Sequence, residues 1–408
     1  MKIFHSGVPN YHGSDGQSLL FARGEGGVVF DCCGKKYIDF VLGYGPVVLG
    51  HAREDFEKII SSHLRSGIHL PGYAIFHQEY LDRLLSEFPS DMGACFFKTS
   101  SEAVTAALRI AAHMTGKLGV LRCGFVGWHD VQICKTVRWH EPPQSDARKD
   151  MRFVSCMRGC DGKEGVFNWT SVEFEELDNI LTNSCNTIGA LVFDAYQAIW
   201  IDTDILIKSF ELCRSKGIVV IFDETKTAGR IDTSIAYRES LPVDMIILGK
   251  SLANGAPLSL LVGSNEVMSY STSARVSGTF SKELLSVYSA IATLDLMQKY
   301  NGYTKLKYIG HEIVRIFNEA SSDANVINKV EAVTILGGGM FELRFVPEIE
   351  TKHSYRKLLA NLLVDNGILL LQGHPSFVCL SHESIDNNIL YDKFFNSLSS
   401  WANANMEI

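Results

Sequence analysis

No stretch of the 408 residues approaches the roughly 18 consecutive apolar residues that a bilayer-spanning helix needs. The opening MKIFHSGVPNYHGSDG has neither the basic head nor the apolar segment of a secretory signal. Both absences make the cytoplasm the expected compartment. Positive charge is in short supply too. Against 46 Asp and Glu stand 38 Lys and Arg, a net charge of −8, which removes the electrostatic case for nucleic acid or an anionic membrane as partner. The ten cysteines lack pattern. Neither Cys32-Cys33 nor the pair Cys156 and Cys160 meets a second pair at zinc-finger spacing, so buried thiols are expected and a metal site is not. There is no internal repeat and no low-complexity tract. With 46% hydrophobic and 21% charged residues the chain reads as soluble and globular, and a small-molecule site is the kind to seek.

The length exceeds one ordinary core and predicts two domains, or one large domain with terminal additions. From about residue 75, apolar runs alternate with helical spacings, which predicts βαβ units and a parallel sheet. Two runs stand out. Ile218 to Phe222 and Met245 to Leu248 are unbroken and rich in β-branched residues, the pattern of strands covered on both faces. Asp223 and Lys250 follow directly. Ligands of open parallel sheets sit outside the carboxyl ends of the strands, so these two side chains either face one site or serve as a loop cap and a solvated lysine.

Other junctions carry weaker signals. Ahead of the first strong helix, Thr99-x-x-Glu102 has capping-box spacing. Ser100 and Ser101 then stand beside helix amides that suit a phosphate, or they belong to an ordinary cap. Trp128 can stack on a planar ring or fill a core edge. Residues 138 to 168 are polar, contain Pro142-Pro143, and predict a long loop, a plausible mobile cover. Val28 to Val41 predicts a hairpin turning at Gly34.

In order along the chain, these stretches resemble the class III aminotransferases of fold type I, with glutamate semialdehyde aminomutase as the nearest subgroup. The resemblance rests on Phe30-Asp31 with Gly34, Tyr37-Ile-Asp39, Gly45-Pro-Val-Val-Leu-Gly-His51, Ser100-Ser-Glu-Ala103, Phe222-Asp-Glu224 with Arg230, Leu248-Gly-Lys250 and Gly278-Thr-Phe-Ser281. It extends over roughly residues 25 to 400. It implies an α/β fold: a large domain with a mostly parallel central sheet, and a smaller α+β domain built from both termini. The boundaries it suggests are 1–54, 55–298 and 299–408.

The resemblance also implies pyridoxal 5'-phosphate as cofactor and an amino donor and a carbonyl acceptor as substrates. Lys250 would hold the cofactor and move protons, and Asp223 would pair with its ring nitrogen. Ser100 and Ser101 would bind its phosphate, Trp128 would cover its ring, and Gln197 would approach its phenolic oxygen. Thr279 would complete the phosphate site of the neighbouring subunit, which implies a homodimer.

Departures from the pattern concern the substrate. Asp194-Ala195 replaces the family's Glu-Pro ahead of Gln197. No arginine precedes Arg23, where the aminomutases place one for the substrate carboxylate, and Ser264-Asn265 replaces a double arginine. A carboxylate without its bidentate partner is poorly recognised. The expected acceptor is therefore a neutral polar carbonyl compound such as an oxo-sugar or cyclitol, met by groups such as Tyr11 and His12. Arg275 or a partner-subunit arginine is the competing expectation, and an intramolecular aminomutase is the alternative activity.

Overall fold

The structure, a computed structural model, describes residues 11–12, 18–127, 139–145, 165–346, 349, 353–371 and 373–405. The chain divides into two compact units, one of Met1–Glu57 with Leu296–Ile408 and one of Lys58–Asp295.

The first unit opens with strands β1 (Phe21–Glu25), β2 (Val28–Asp31) and β3 (Lys36–Asp39). The hairpin between β2 and β3 turns at Gly34, whose φ of +85° is open to glycine and costly for other residues. Asp31 Oδ1 fixes the turn by accepting from the amides of Cys33 and Lys35, each at 2.9 Å. Cys32 and Cys33 are exposed on this turn, whereas Cys123, Cys213 and Cys379 are buried. The expectation of buried thiols thus fails at the hairpin, because a two-strand turn has no second layer over it.

The second unit is built on a seven-stranded sheet of β4 (Met92–Phe97), β5 (Gly119–Cys123), β6 (Val166–Asn168), β7 (Ile188–Asp194), β8 (Val219–Asp223), β9 (Met245–Leu248) and β10 (Ser259–Ser264). Its order is β4-β10-β9-β8-β7-β5-β6. From β9 to β6 every pairing is parallel, and β10 runs antiparallel to both β9 and β4. Every residue of β7, β8 and β9 is buried, which is why these strands read as continuous apolar runs. Val166–Asn168, placed in a loop by its polar surroundings, pairs with Val120, Leu121 and Arg122 as an edge strand. Three residues at a sheet edge, partly exposed, carry too little pattern to be read as a strand.

Helix Ser100–Thr115 packs on this sheet through Ala103, Val104, Ala107, Ile110 and Ala111. Small side chains at these positions let it lie close to the strands. Its capping box is formed: Thr99 Oγ1 accepts from the amide of Glu102, and Glu102 Oε2 accepts from that of Thr99. Such a cap is worth about 1 kcal/mol. At the other end Gly116 takes a left-handed φ of +69° and stops the helix.

The chain then returns to the first unit with helix Gly302–Asp323 and strands β11 (Val330–Ile335), β12 (Met340–Phe345), β13 (Ile368–Leu369) and β14 (Ser376–Phe377). β13 joins the N-terminal sheet beside β3, while β11, β12 and β14 form a separate three-stranded sheet. Helix Asn387–Asn405 follows. Among the described residues no helix is long and apolar enough to cross a membrane.

Candidate active site

The site lies at the carboxyl ends of β7, β8 and β9. Asp194 and Asp223 end β7 and β8 in register with each other, and β9 delivers Lys250 through Gly249. The sheet's parallel order brings these three residues together.

Asp223 is 3% exposed. Its Oδ1 accepts from the amide of Thr225 at 2.9 Å and also from the Thr225 hydroxyl. Its Oδ2 accepts no hydrogen bond among the described residues. Burial and then the charge of Asp194 push the Asp223 carboxyl up to about 6. The next residue, Glu224, turns the other way and holds the chain. Fully buried, it accepts from Ser234 Oγ at 2.5 Å and from the amides of Ile235 and Ala236 at 2.7 and 3.1 Å. The segment that bears Asp223 is thereby anchored on both sides.

Lys250 has a left-handed backbone, φ +48°, an uncommon conformation for a residue with a Cβ and one that collects at functional sites. Gly249 before it has no room for a side chain, since a Cβ there would stand 2.3 Å from Ser100 Oγ. The start of helix Ser100–Thr115 therefore abuts the Lys250 backbone. A shared hydroxyl network secures the contact: Ser259 Oγ donates to the Leu248 carbonyl at 2.6 Å and lies 3.2 Å from Ser100 Oγ. Burial and then the nearby Lys226 ammonium push the Lys250 amine down to about 7. Part of the residue's surface stays accessible.

The loop after β5 completes the group. Gly124 (φ +96°) and Gly127 (φ +87°) let it pass between two neighbours. A Cβ at Gly124 would meet Asp194 Cβ at 2.3 Å and Gln197 Cγ at 2.9 Å, and one at Gly127 would meet Ser101 at 3.4 Å. Gln197 is fully buried, and its Nε2 donates to the Trp139 carbonyl at 2.9 Å. Asp194 Oδ2 accepts from Lys226 Nζ at 2.5 Å and from the Phe125 amide at 3.2 Å. Sequence reasoning missed Thr225, Lys226 and Trp139. Thr225 and Lys226, two and three residues after Asp223, carried a signal, because a threonine and a lysine there sit too close to a strand-end carboxylate to avoid it.

Trp128 and most of residues 138–168 lie outside the described residues. Thr279 is exposed at the start of the short helix Thr279–Lys282, and no hydrogen bond among the described residues joins it to the Lys250 group. Tyr11 donates its hydroxyl to the Leu370 carbonyl at 2.9 Å, and burial raises its pKa; His12 bridges to Ser18. Ser264 and Asn265 overturn an expectation. Because β10 runs antiparallel, its start at Ser259 is beside Leu248 and its end at Ser264 is beside Met92, roughly 17 Å along the strand. Ser264 caps helix Asn265–Ser273 by accepting from the Val267 amide. A substrate at Lys250 does not meet these residues, and their identity carries no information on its carboxylate.

The chemistry of the gathered groups is specific. A carboxylate oxygen without a partner suits a protonated ring nitrogen. An amine held near neutral pH can add to a carbonyl, and a helix start with two hydroxyls suits a phosphate. One molecule, pyridoxal phosphate, makes all three demands, and the donor set fits it.

Residues 11–400 match the family model for aminotransferase class III. A glutamate-1-semialdehyde 2,1-aminomutase of Archaeoglobus fulgidus is 28% identical over 393 residues, covering 90% of this chain and 89% of its own. A 2'-deamino-2'-hydroxyneamine transaminase of Streptomyces kanamyceticus is 27% identical over 287 residues, covering 69% and 67%. The fold is that of an omega-transaminase from Sphaerobacter thermophilus, with a TM-score of 0.80 at 18% identity over 96% of this chain and 93% of that one. A transaminase solved with pyridoxal phosphate bound superposes as well, with a TM-score of 0.80 at 17% identity over 97% and 94%. The chain belongs to the class III aminotransferases and is a pyridoxal-phosphate-dependent transaminase of fold type I.

Proposed function

We propose that this transaminase moves an amino group from an amino-acid donor to the carbonyl of a small, neutral, hydroxylated acceptor of the oxo-sugar or cyclitol kind. The observation that carries the reading is the absence of arginine before Arg23, where an aminomutase would hold its substrate's carboxylate. The similarity to the 2'-deamino-2'-hydroxyneamine transaminase supports it. Bound pyridoxal phosphate supplies the electron sink and carries the nitrogen between the two half-reactions. The chain's own residues do the rest. Lys250 would hold the cofactor through its amine and would carry a proton to and from the substrate carbon. Asp223 would pair with the ring nitrogen, Ser100 and Ser101 with the helix amides would hold the phosphate, and Gln197 would approach the phenolic oxygen. Trp128, which lies outside the described residues, would cover the ring.

Thr279 serves the site of a second copy, and the working enzyme is a homodimer. Support comes from an apolar surface around it: Ile68, Tyr73, Ile75 and Phe280 are 51%, 60%, 78% and 62% exposed. The contacts of His69 with Phe280 and of Tyr73 with Lys282 bring the stretch from Ile68 to Ile75 beside the one that holds Thr279 and Phe280. Large exposed apolar groups in one area mark a surface that another protein covers.

The similarity over 393 residues to an aminomutase favours one second reading, transfer within a single substrate. Both are tested by loading the enzyme as its pyridoxamine form and following the cofactor absorbance in single turnover. Oxo-sugars and oxo-cyclitols are expected to discharge it faster than oxo-acids. Preference for glutamate semialdehyde or a short oxo-acid sinks the acceptor assignment, and product formed with no added donor selects the mutase.

A further inference from the structure

Asp194 and Asp223 end adjacent strands side by side and are 2% and 3% exposed. Two buried carboxylates so placed oppose each other's ionisation, and one takes up a proton unless a cation intervenes. Lys226 is such a cation. Its Nζ lies 2.5 Å from Asp194 Oδ2, with the two side chains 6% and 2% exposed. The rings of Phe125 and Tyr196 flank it at 5.5 and 5.9 Å, which adds to the hold on its charge. Asp223 has a different environment. Its hydrogen bonds come from Thr225 alone, both at Oδ1, and Oδ2 has none among the described residues.

We propose that Lys226 is a positioning residue for the cofactor: its ammonium neutralises Asp194, and so leaves Asp223 as the ionised carboxylate that faces the ring nitrogen. The inference rests on the cofactor roles assigned above and extends them to a residue given none. The charges around Lys250 follow the same logic. After burial, Lys226 is the strongest push downward on the Lys250 amine, Asp194 and Asp223 pull it up, and Arg230 adds a smaller downward push. For Asp223, burial and then Asp194 push upward while Lys226 pulls down. Removing either member of the Lys226–Asp194 pair therefore disturbs both working groups, and removing both restores the balance.

The test is a double-mutant cycle on the holoenzyme, read by the pH midpoint of the bound cofactor's visible absorbance and by the Kd for pyridoxal phosphate. Lys226→Met removes the positive charge between the two carboxylates and Lys250; the midpoint moves up by about one unit or more, and the Kd rises about tenfold. Asp194→Asn leaves the ammonium unopposed, and the midpoint moves down. Lys226→Met combined with Asp194→Asn returns the midpoint to near its wild-type position, and Lys226→Arg keeps it there. A merely structural role lowers Tm without moving the midpoint. Single variants that shift the same way, or a double variant that fails to restore, overturn the proposal. If Lys226→Met does not retain cofactor, the double variant decides: regained binding supports the proposal, and none overturns it. A failed cycle in a protein with normal wild-type absorbance removes this inference alone, whereas a wild type with no bound-cofactor absorbance removes the roles it rests on as well.

Discussion

Lys250 combines a left-handed backbone, φ +48°, with an amine that burial and the nearby Lys226 lower from 10.5 to about 7. The backbone costs about 1–3 kcal/mol wherever it is not held by its surroundings. Here Gly249 against Ser100 and the buried residues Ser251, Leu252 and Ala253 hold it. The lowered pKa has a direct consequence for cofactor capture. Only the neutral amine adds to a carbonyl, and an ordinary lysine is almost wholly protonated at pH 7. In this protein the neutral fraction grows as pH rises through about 7. Cofactor-free protein mixed with pyridoxal phosphate is expected to form its visible absorbance at a rate that increases with pH and levels off above about 8, as a group with that pKa requires. A rate still climbing toward pH 10 contradicts the environment described for Lys250.

At the scale of elements, the site depends on close approaches that only glycine permits. The loop after β5 passes Asp194 so tightly that a Cβ at Gly124 would stand 2.3 Å from Asp194 Cβ, and the position has φ +96°. Gly124→Ala is therefore expected to lower unfolding stability by about 2–4 kcal/mol, from overpacking together with backbone strain. It should also weaken cofactor binding, because Asp194 is displaced. Denaturant midpoints and a cofactor titration check both, and an unchanged midpoint contradicts the packing account. Much of this was legible in the sequence. The strands ending at Asp223 and Leu248 declared themselves because both faces are covered, and the Thr99 box declared its helix start. The pairings were not legible. Nothing in Ser259–Gly263 tells a strand's direction, so the distance of Ser264-Asn265 from Lys250 could not be read. The ion pair of Lys226 with Asp194 joins residues 32 positions apart, and only the register of β7 and β8 brings them together.

For the whole molecule, the exposed patch around Phe280 and the exposed Thr279 argue for a second copy. Phe280→Asp is expected to shift the protein from two-chain to one-chain mass in sedimentation, and to weaken cofactor binding as the neighbour's Thr279 is withdrawn. A wild-type protein that sediments as a single chain with full cofactor affinity contradicts the dimer. Among the lysines of the chain, Lys250 is the one proposed to carry the cofactor. Borohydride reduction of the purified holoprotein, followed by peptide mass spectrometry, tests it directly. A reduced pyridoxyl phosphate adduct on the peptide containing Lys250, lost in Lys250→Ala, is the predicted result; an adduct on Lys226 or another lysine, or none on a protein that retains its cofactor, contradicts it.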